Sequence, residues 1–167
     1  MTEQRVEEVT YEERLVLFAD ILGFKDLVKS SGNNDVDALS KVQRIMGILA
    51  KLNQDENSAL RTDHRTGNDP QDYHNAVITS FSDHIVVSVP KGRPDAVCWL
   101  LRTAYIMAYQ LMEEGVLCRG GIALGKLYHT KQYIFGTAFL DAYELEQDES
   151  RYPRILFSKG AADRLSL

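Results

Sequence analysis

Three residues of this chain carry charge in settings that do not suit charge. Asp20 follows the apolar run LVLFA, Asp83 lies between AVITSFS and HIVVSV, and Arg119 interrupts the otherwise apolar LCRGGIALGKLY. An ionised carboxylate at the tip of a buried strand is costly unless something positive lies beside it. A divalent cation is one such partner, since hard cations take carboxylate and backbone oxygens. Asp20 reads alternatively as the N-cap of the helix that follows it, and Asp83 as ordinary turn chemistry. Arg119 calls for an anion, either a phosphate or a structural carboxylate.

The elements that must position these groups follow from the apolar periodicity. Residues 15–24 form a continuous apolar run, the pattern of a strand buried on both faces, and Gly23 loosens the backbone where it ends. Asn34 or Asp35 caps a helix with Val36, Leu39, Val42, Ile45, Met46, Leu49 and Leu52 inward. Residues 76–89 read as a hairpin turning at Ser82-Asp83. Residues 95–114 form a second helix with Val97, Leu100, Leu101, Ala104, Met107, Ala108 and Leu111 inward and Gly115 as its stop. Trp99, Tyr105 and Tyr109 read as packing residues. Residues 117–128 form a strand whose Gly120, Gly121 and Gly125 imply a bulge or a close backbone approach. A short strand at 133–135, a helix at 138–146 and a strand at 154–158 complete the chain.

The order strand, helix, hairpin, helix, strand is that of an α+β, ferredoxin-like (split βαβ) domain: a mostly antiparallel sheet with helices packed on one face. The first strand then lies beside the hairpin, so Asp20 and Asp83 meet at one end of the sheet. Two carboxylates brought together repel unless cations separate them. The pairing makes both candidate ligands of a two-metal site.

Composition narrows the function. The chain has 167 residues, enough for one domain with a real core, expected over 15–167 after a polar lead at 1–14. Residues 53–75 read as a surface loop insertion carrying Arg61, His64 and Arg65. A formal charge of −5 supplies no broad basic face for nucleic acid. No apolar run approaches a membrane span, and the acidic N-terminal segment does not read as a signal peptide. Cys98 and Cys118 lack metal spacing and read as small buried hydrophobes in a reducing cytoplasm.

FADILGF, SFSDHIVVS, RGGIALG and IFGTAFLDAYELE followed by ILFS, in that order, resemble the successive motifs of class III nucleotidyl cyclase catalytic domains over most of 15–158. The resemblance implies a homodimer with active sites at its interface and a nucleoside triphosphate substrate. It implies two Mg²⁺ or Mn²⁺ ions held by Asp20, Asp83 and the carbonyl of Ile21, with the amides of Leu22, Gly23 and Phe24 around the β- and γ-phosphates. The departures matter too. Where the family carries a transition-state Asn and Arg this chain has Leu140 and Glu144, Ser82 replaces a glycine, and the base-reading strand is Val77-Ile78-Thr79. The family's C-terminal phosphate-binding Lys would lie beyond Leu167.

A small cyclase with an RGGI strand and an AYELE helix is similar to the pyrimidine cyclases of bacterial Pycsar anti-phage systems. That resemblance implies synthesis of cyclic CMP or cyclic UMP from CTP or UTP, coupled through the product to an effector that senses it. Arg119 and Lys126 are the candidates for the missing cationic groups, Thr79 and Tyr143 for base contact. The contrasting readings are a cyclase fold reduced to a nucleotide sensor or dimerisation module, and a purine cyclase.

Overall fold

The computed structural model describes residues 9–55 and 76–165. The expected loop at 53–75, with Arg61, His64 and Arg65, falls outside them except at 53–55, which are helical. The elements are β1 (Glu12–Ile21), α1 (Phe24–Gly32), α2 (Val36–Asp55), β2 (Val77–Phe81), β3 (His84–Pro90), α3 (Pro94–Glu113), β4 (Cys118–His129), β5 (Ile134–Phe135), α4 (Thr137–Glu144), β6 (Ile155–Phe157) and α5 (Lys159–Leu165). A single π-helical turn, Leu145–Glu149, extends α4.

The sheet runs β2-β3-β1-β4-β5, with β6 joined in parallel to β4 and every other pairing antiparallel. This is the expected split-βαβ order, with β1 at the centre. Its continuous apolar run has a direct cause. Leu15, Leu17, Ala19 and Ile21 face one core, where α2 and α3 bring Ile45, Leu49, Leu100, Met107 and Leu111. Val16 and Phe18 face a second, smaller core with Ala123, Leu127, Ala138 and Ala142. The helices of the split βαβ unit share one face as expected, and α4 covers part of the other.

The glycines of β4 explain how α4 comes so close. A side chain at Gly121 would run into the carbonyl oxygen of Ala142, and one at Gly125 would press on Thr137 and Ala138. Asp35 caps α2 by accepting from the Ala38 amide (3.0 Å), and Gly115, at φ 67°, ends α3.

Several expectations about individual side chains are corrected. Val36, Leu39 and Met46 of α2 are exposed, whereas Ile45, Leu49 and Leu52 face inward as expected and Ala38 joins them. Cys98 is exposed, whereas Cys118 is buried and its thiol is pushed up to about 11 by burial and the nearby Asp20 charge. Tyr105 and Tyr109 stack on each other on the outer face of α3, both exposed. Arg14, expected in the polar lead, belongs to β1 and is buried.

Arg14 heads a buried polar chain. Its Nε–H donates to Ser88 Oγ (2.9 Å), Ser88 Oγ lies 2.8 Å from His129 Nδ1, and His129 Nε2 lies 3.0 Å from Thr79 Oγ1. Burial, with the Arg14 charge adding to it, lowers the His129 pKa to about 4.

Gly121→Ala should destabilise the fold by about 2 kcal/mol or more, read by chemical denaturation, because backbone on both sides must shift. His129 sets a second expectation. Its folded pKa lies below its unfolded value, so the unfolded chain binds the extra proton between roughly pH 6.5 and 4. Stability should therefore fall as pH drops through that window, by on the order of 3 kcal/mol. In His129→Gln the slope of melting temperature against pH should flatten there.

Candidate metal centre

The register of the sheet assembles the site. Asp20 pairs across β1–β3 with His84 and across β1–β4 with Arg119, which puts all three at one end of the central strands and on the α4 face. Asp83 joins them from the hairpin turn, where Ser82 holds a positive φ of 54°. The turn is pinned onto the end of β1 by the Ile21 amide donating to the Asp83 carbonyl (3.0 Å). Asp20 does not cap α1. Gly23, at φ 78°, occupies that position and no side chain caps the helix.

His84 lies between the two carboxylates, Nδ1 at 3.1 Å from Asp83 Oδ1 and Nε2 at 3.7 Å from Asp20 Oδ1. Ligand atoms of Asp20, Asp83 and His84 all fall within 4.8 Å of one another. His84 Nδ1 is buried and makes no hydrogen bond. Two carboxylates and an orphaned imidazole nitrogen form a donor set that fits one divalent cation; the oxygens suit Mg²⁺ or Mn²⁺ and the nitrogen suits borderline metals. The ring is held between aromatic neighbours, Phe81 stacked at 5.2 Å and Phe18 at 5.3 Å.

Arg119 has the structural carboxylate that the sequence left open. Its Nε lies 2.5 Å from Glu146 Oε1 and 3.5 Å from Asp20 Oδ2. The Glu146 contact is an ion pair without hydrogen-bond alignment, since both atoms lack such a partner. Glu146 is fully buried, and that burial raises its pKa against the opposing pull of Gln147 and Arg119. The π-helical turn positions it, a local departure that recurs at functional sites.

The remaining expected residues divide. Tyr143, half exposed, packs edge-on against Phe18 at 5.4 Å and so borders the site. Thr79 is on the same face, two residues along β2 from Phe81. Gly23 and Phe24 open α1, whose N-terminal amides suit an anion. The Leu22 amide is already committed to the Leu117 carbonyl at 2.8 Å, so it is not free for a phosphate. Lys126 is not at the site within this chain. It pairs with Glu13, seven positions along β4 from Arg119, and strand alternation turns it to the opposite face. His84 and Glu146 were not read from the sequence; adjacency to Asp83 was the available signal for His84, and Glu146 gave none.

A split-βαβ sheet with an acidic pair at the end of its central strands defines a cyclase-like fold. A solved structure from Pseudomonas aeruginosa, described as a class III adenylyl cyclase-like ATP-binding protein, shares it at TM-score 0.60 and 12% identity over 94% of this chain. The chain spans about a third (35%) of that protein's length. No family model matches the sequence, and no curated protein does. No described helix is long and apolar enough to cross a membrane.

Asp20→Asn and Asp83→Asn should each weaken Mn²⁺ binding by roughly tenfold or more, because each removes ligand charge. Titration calorimetry reads the affinity, and an unchanged circular dichroism spectrum shows the fold is kept. Wild-type affinity in either variant would place the cation elsewhere.

Proposed function

We propose that this chain is a nucleotidyl cyclase that converts CTP or UTP to cyclic CMP or cyclic UMP and pyrophosphate. The observation that carries the reading is the convergence of Asp20, Asp83 and His84 at one end of the sheet, with Arg119 against Asp20. In the reaction the ribose 3′ oxygen attacks the α-phosphorus, the bond from the α-phosphorus to the bridging oxygen breaks to release pyrophosphate, and the 3′ proton passes to water. Asp20, Asp83 and the Ile21 carbonyl would hold Mg²⁺ or Mn²⁺, which would supply Lewis-acid charge toward the triphosphate and the 3′ oxygen.

The chain's own residues orient and balance charge. Asp20, Asp83 and His84 would hold a divalent cation, and the amides at Gly23 and Phe24, at the start of α1, would face phosphate oxygens. Arg119 is anchored through Nε, while its terminal nitrogens have no partner among the described residues. They are therefore placed to meet phosphate charge as it develops. Thr79 and Tyr143 contact the base. The working form is a homodimer in the cytoplasm, with the partner subunit contributing to each site. The cyclic product would activate a separate cyclic-nucleotide-sensing effector in anti-phage defence.

One observation favours a second reading, a fold that binds nucleotide without turnover. Leu140 and Glu144 are exposed on α4, so that helix offers no amide or cation where the family carries its transition-state pair.

Incubating the protein with each of ATP, GTP, CTP and UTP and Mn²⁺, followed by mass spectrometry, separates the readings. One cyclic pyrimidine monophosphate is expected, reduced at least about 100-fold in Asp20→Asn and Asp83→Asn. A bound but unreacted triphosphate would select the second reading.

A further inference from the structure

On the α4 face of the sheet, α4 packs over β4 and β1, and the β2–β3 side beyond it carries Phe81 and His84. Those two rings stack with a 24° interplanar angle, and Phe81 is half exposed. A flat aromatic ligand gains by lying against such a surface. One side-chain pitch along β2, about 7 Å, is Thr79. Its hydroxyl is the outermost member of the buried polar chain that begins at Arg14.

The direction of that chain is determined by the groups in it. Arg14 only donates, so Ser88 Oγ accepts from Nε at 2.9 Å. The Ser88 side chain is fully buried, and among the described residues the acceptor within reach of its proton is His129 Nδ1 at 2.8 Å. An orphaned buried hydroxyl proton is the costly alternative. With Nδ1 accepting, the neutral ring carries its proton on Nε2 and donates to Thr79 Oγ1 at 3.0 Å. Burial and the Arg14 charge both keep the ring neutral. Thr79 thus accepts from behind, and its own proton has no acceptor among the described residues.

We infer that Thr79 is a specificity residue held as a hydrogen-bond donor, so that the site prefers a base with a carbonyl at the C4 edge, uracil, over one with an amino group there, cytosine. The inference rests on the cyclase reading and names its substrate as UTP. Cytosine's amino group could use only the second lone pair of Oγ1 and would leave the Thr79 proton without an acceptor on the base edge.

The test uses the full chain with Mn²⁺ and two analogues that cannot cyclise, 3′-deoxy-UTP and 3′-deoxy-CTP, with inorganic tripolyphosphate as the base-free control. Calorimetry should show the uridine analogue binding about tenfold tighter. Thr79→Val, of the same shape, should bring the two affinities together, and Thr79→Ser should restore the ratio. Ser88→Ala, which removes the group that sets the ring's tautomer, should also shrink the ratio although it does not reach the ligand. Equal or tighter binding of the cytidine analogue, or a ratio that survives in Thr79→Val, overturns the inference while leaving the cyclase reading intact. Tripolyphosphate binding with neither analogue bound overturns the base reading at this shelf. Failure of all three ligands to bind overturns both readings.

Discussion

The structure turns on one carboxylate at the end of the central strand. Asp20 belongs to a strand that is apolar on both faces, and it is tolerated because the neighbouring strands each deliver a compensating group at the same level: His84 from β3 and Arg119 from β4. A slip of one residue in either pairing would turn Asp20 toward the larger core and set the methyl of Ala19 or the sec-butyl group of Ile21 where the charge now lies. The register of β1 and the electrostatics of the site are therefore one constraint. The two-sided burial of Val16, Leu17 and Phe18 holds that register.

The second core serves the site more directly than the first. Because Gly121 and Gly125 let α4 settle onto β4, the chain leaving α4 can place Glu146 beneath Arg119. A straight continuation of the helix would carry position 146 on a different radius, and the π-helical turn changes that. Glu146 in turn restrains Arg119 through Nε and leaves the far end of the guanidinium for another anion. A cation on the strand thus stands near the metal ligands, where the family that the sequence resembles draws one from the helix.

Much of this was legible in the sequence, for identifiable reasons. The uninterrupted run at 15–21 announced burial on both faces, and the glycines at 120, 121 and 125 announced a close approach; both follow from local sterics and hold in the fold. The hairpin at Ser82-Asp83 and the strand order gave the meeting of Asp20 and Asp83. Other features depend on what lies opposite, which no local pattern records. Helical period alone does not say which stripe of α2 faces the sheet, and the rotation of the helix leaves Val36 and Leu39 in solvent. The alternation that turns Lys126 away from Arg119 was available from the spacing, since an odd separation on a regular strand reverses the face. Glu146 was hidden because an acidic residue at the end of a helix ordinarily reads as solvated.

Charge balance links these parts to the way the site would work. Asp20, Asp83 and Glu146 face one guanidinium and an imidazole, which leaves the cluster short of positive charge when the imidazole is neutral. Burial raises the Glu146 pKa, the direction that lessens that shortage, against the opposing pull of Gln147 and Arg119. A single divalent cation among Asp20, Asp83 and His84 would answer the remainder. A nucleoside triphosphate would then bring several further negative charges to a face where Arg119 is the nearby cation and Lys126 points away. The described residues alone are therefore poorly balanced for that ligand. A second ion, or cationic groups from another copy of the chain set against this face, would restore the balance at the moment charge shifts onto the leaving pyrophosphate.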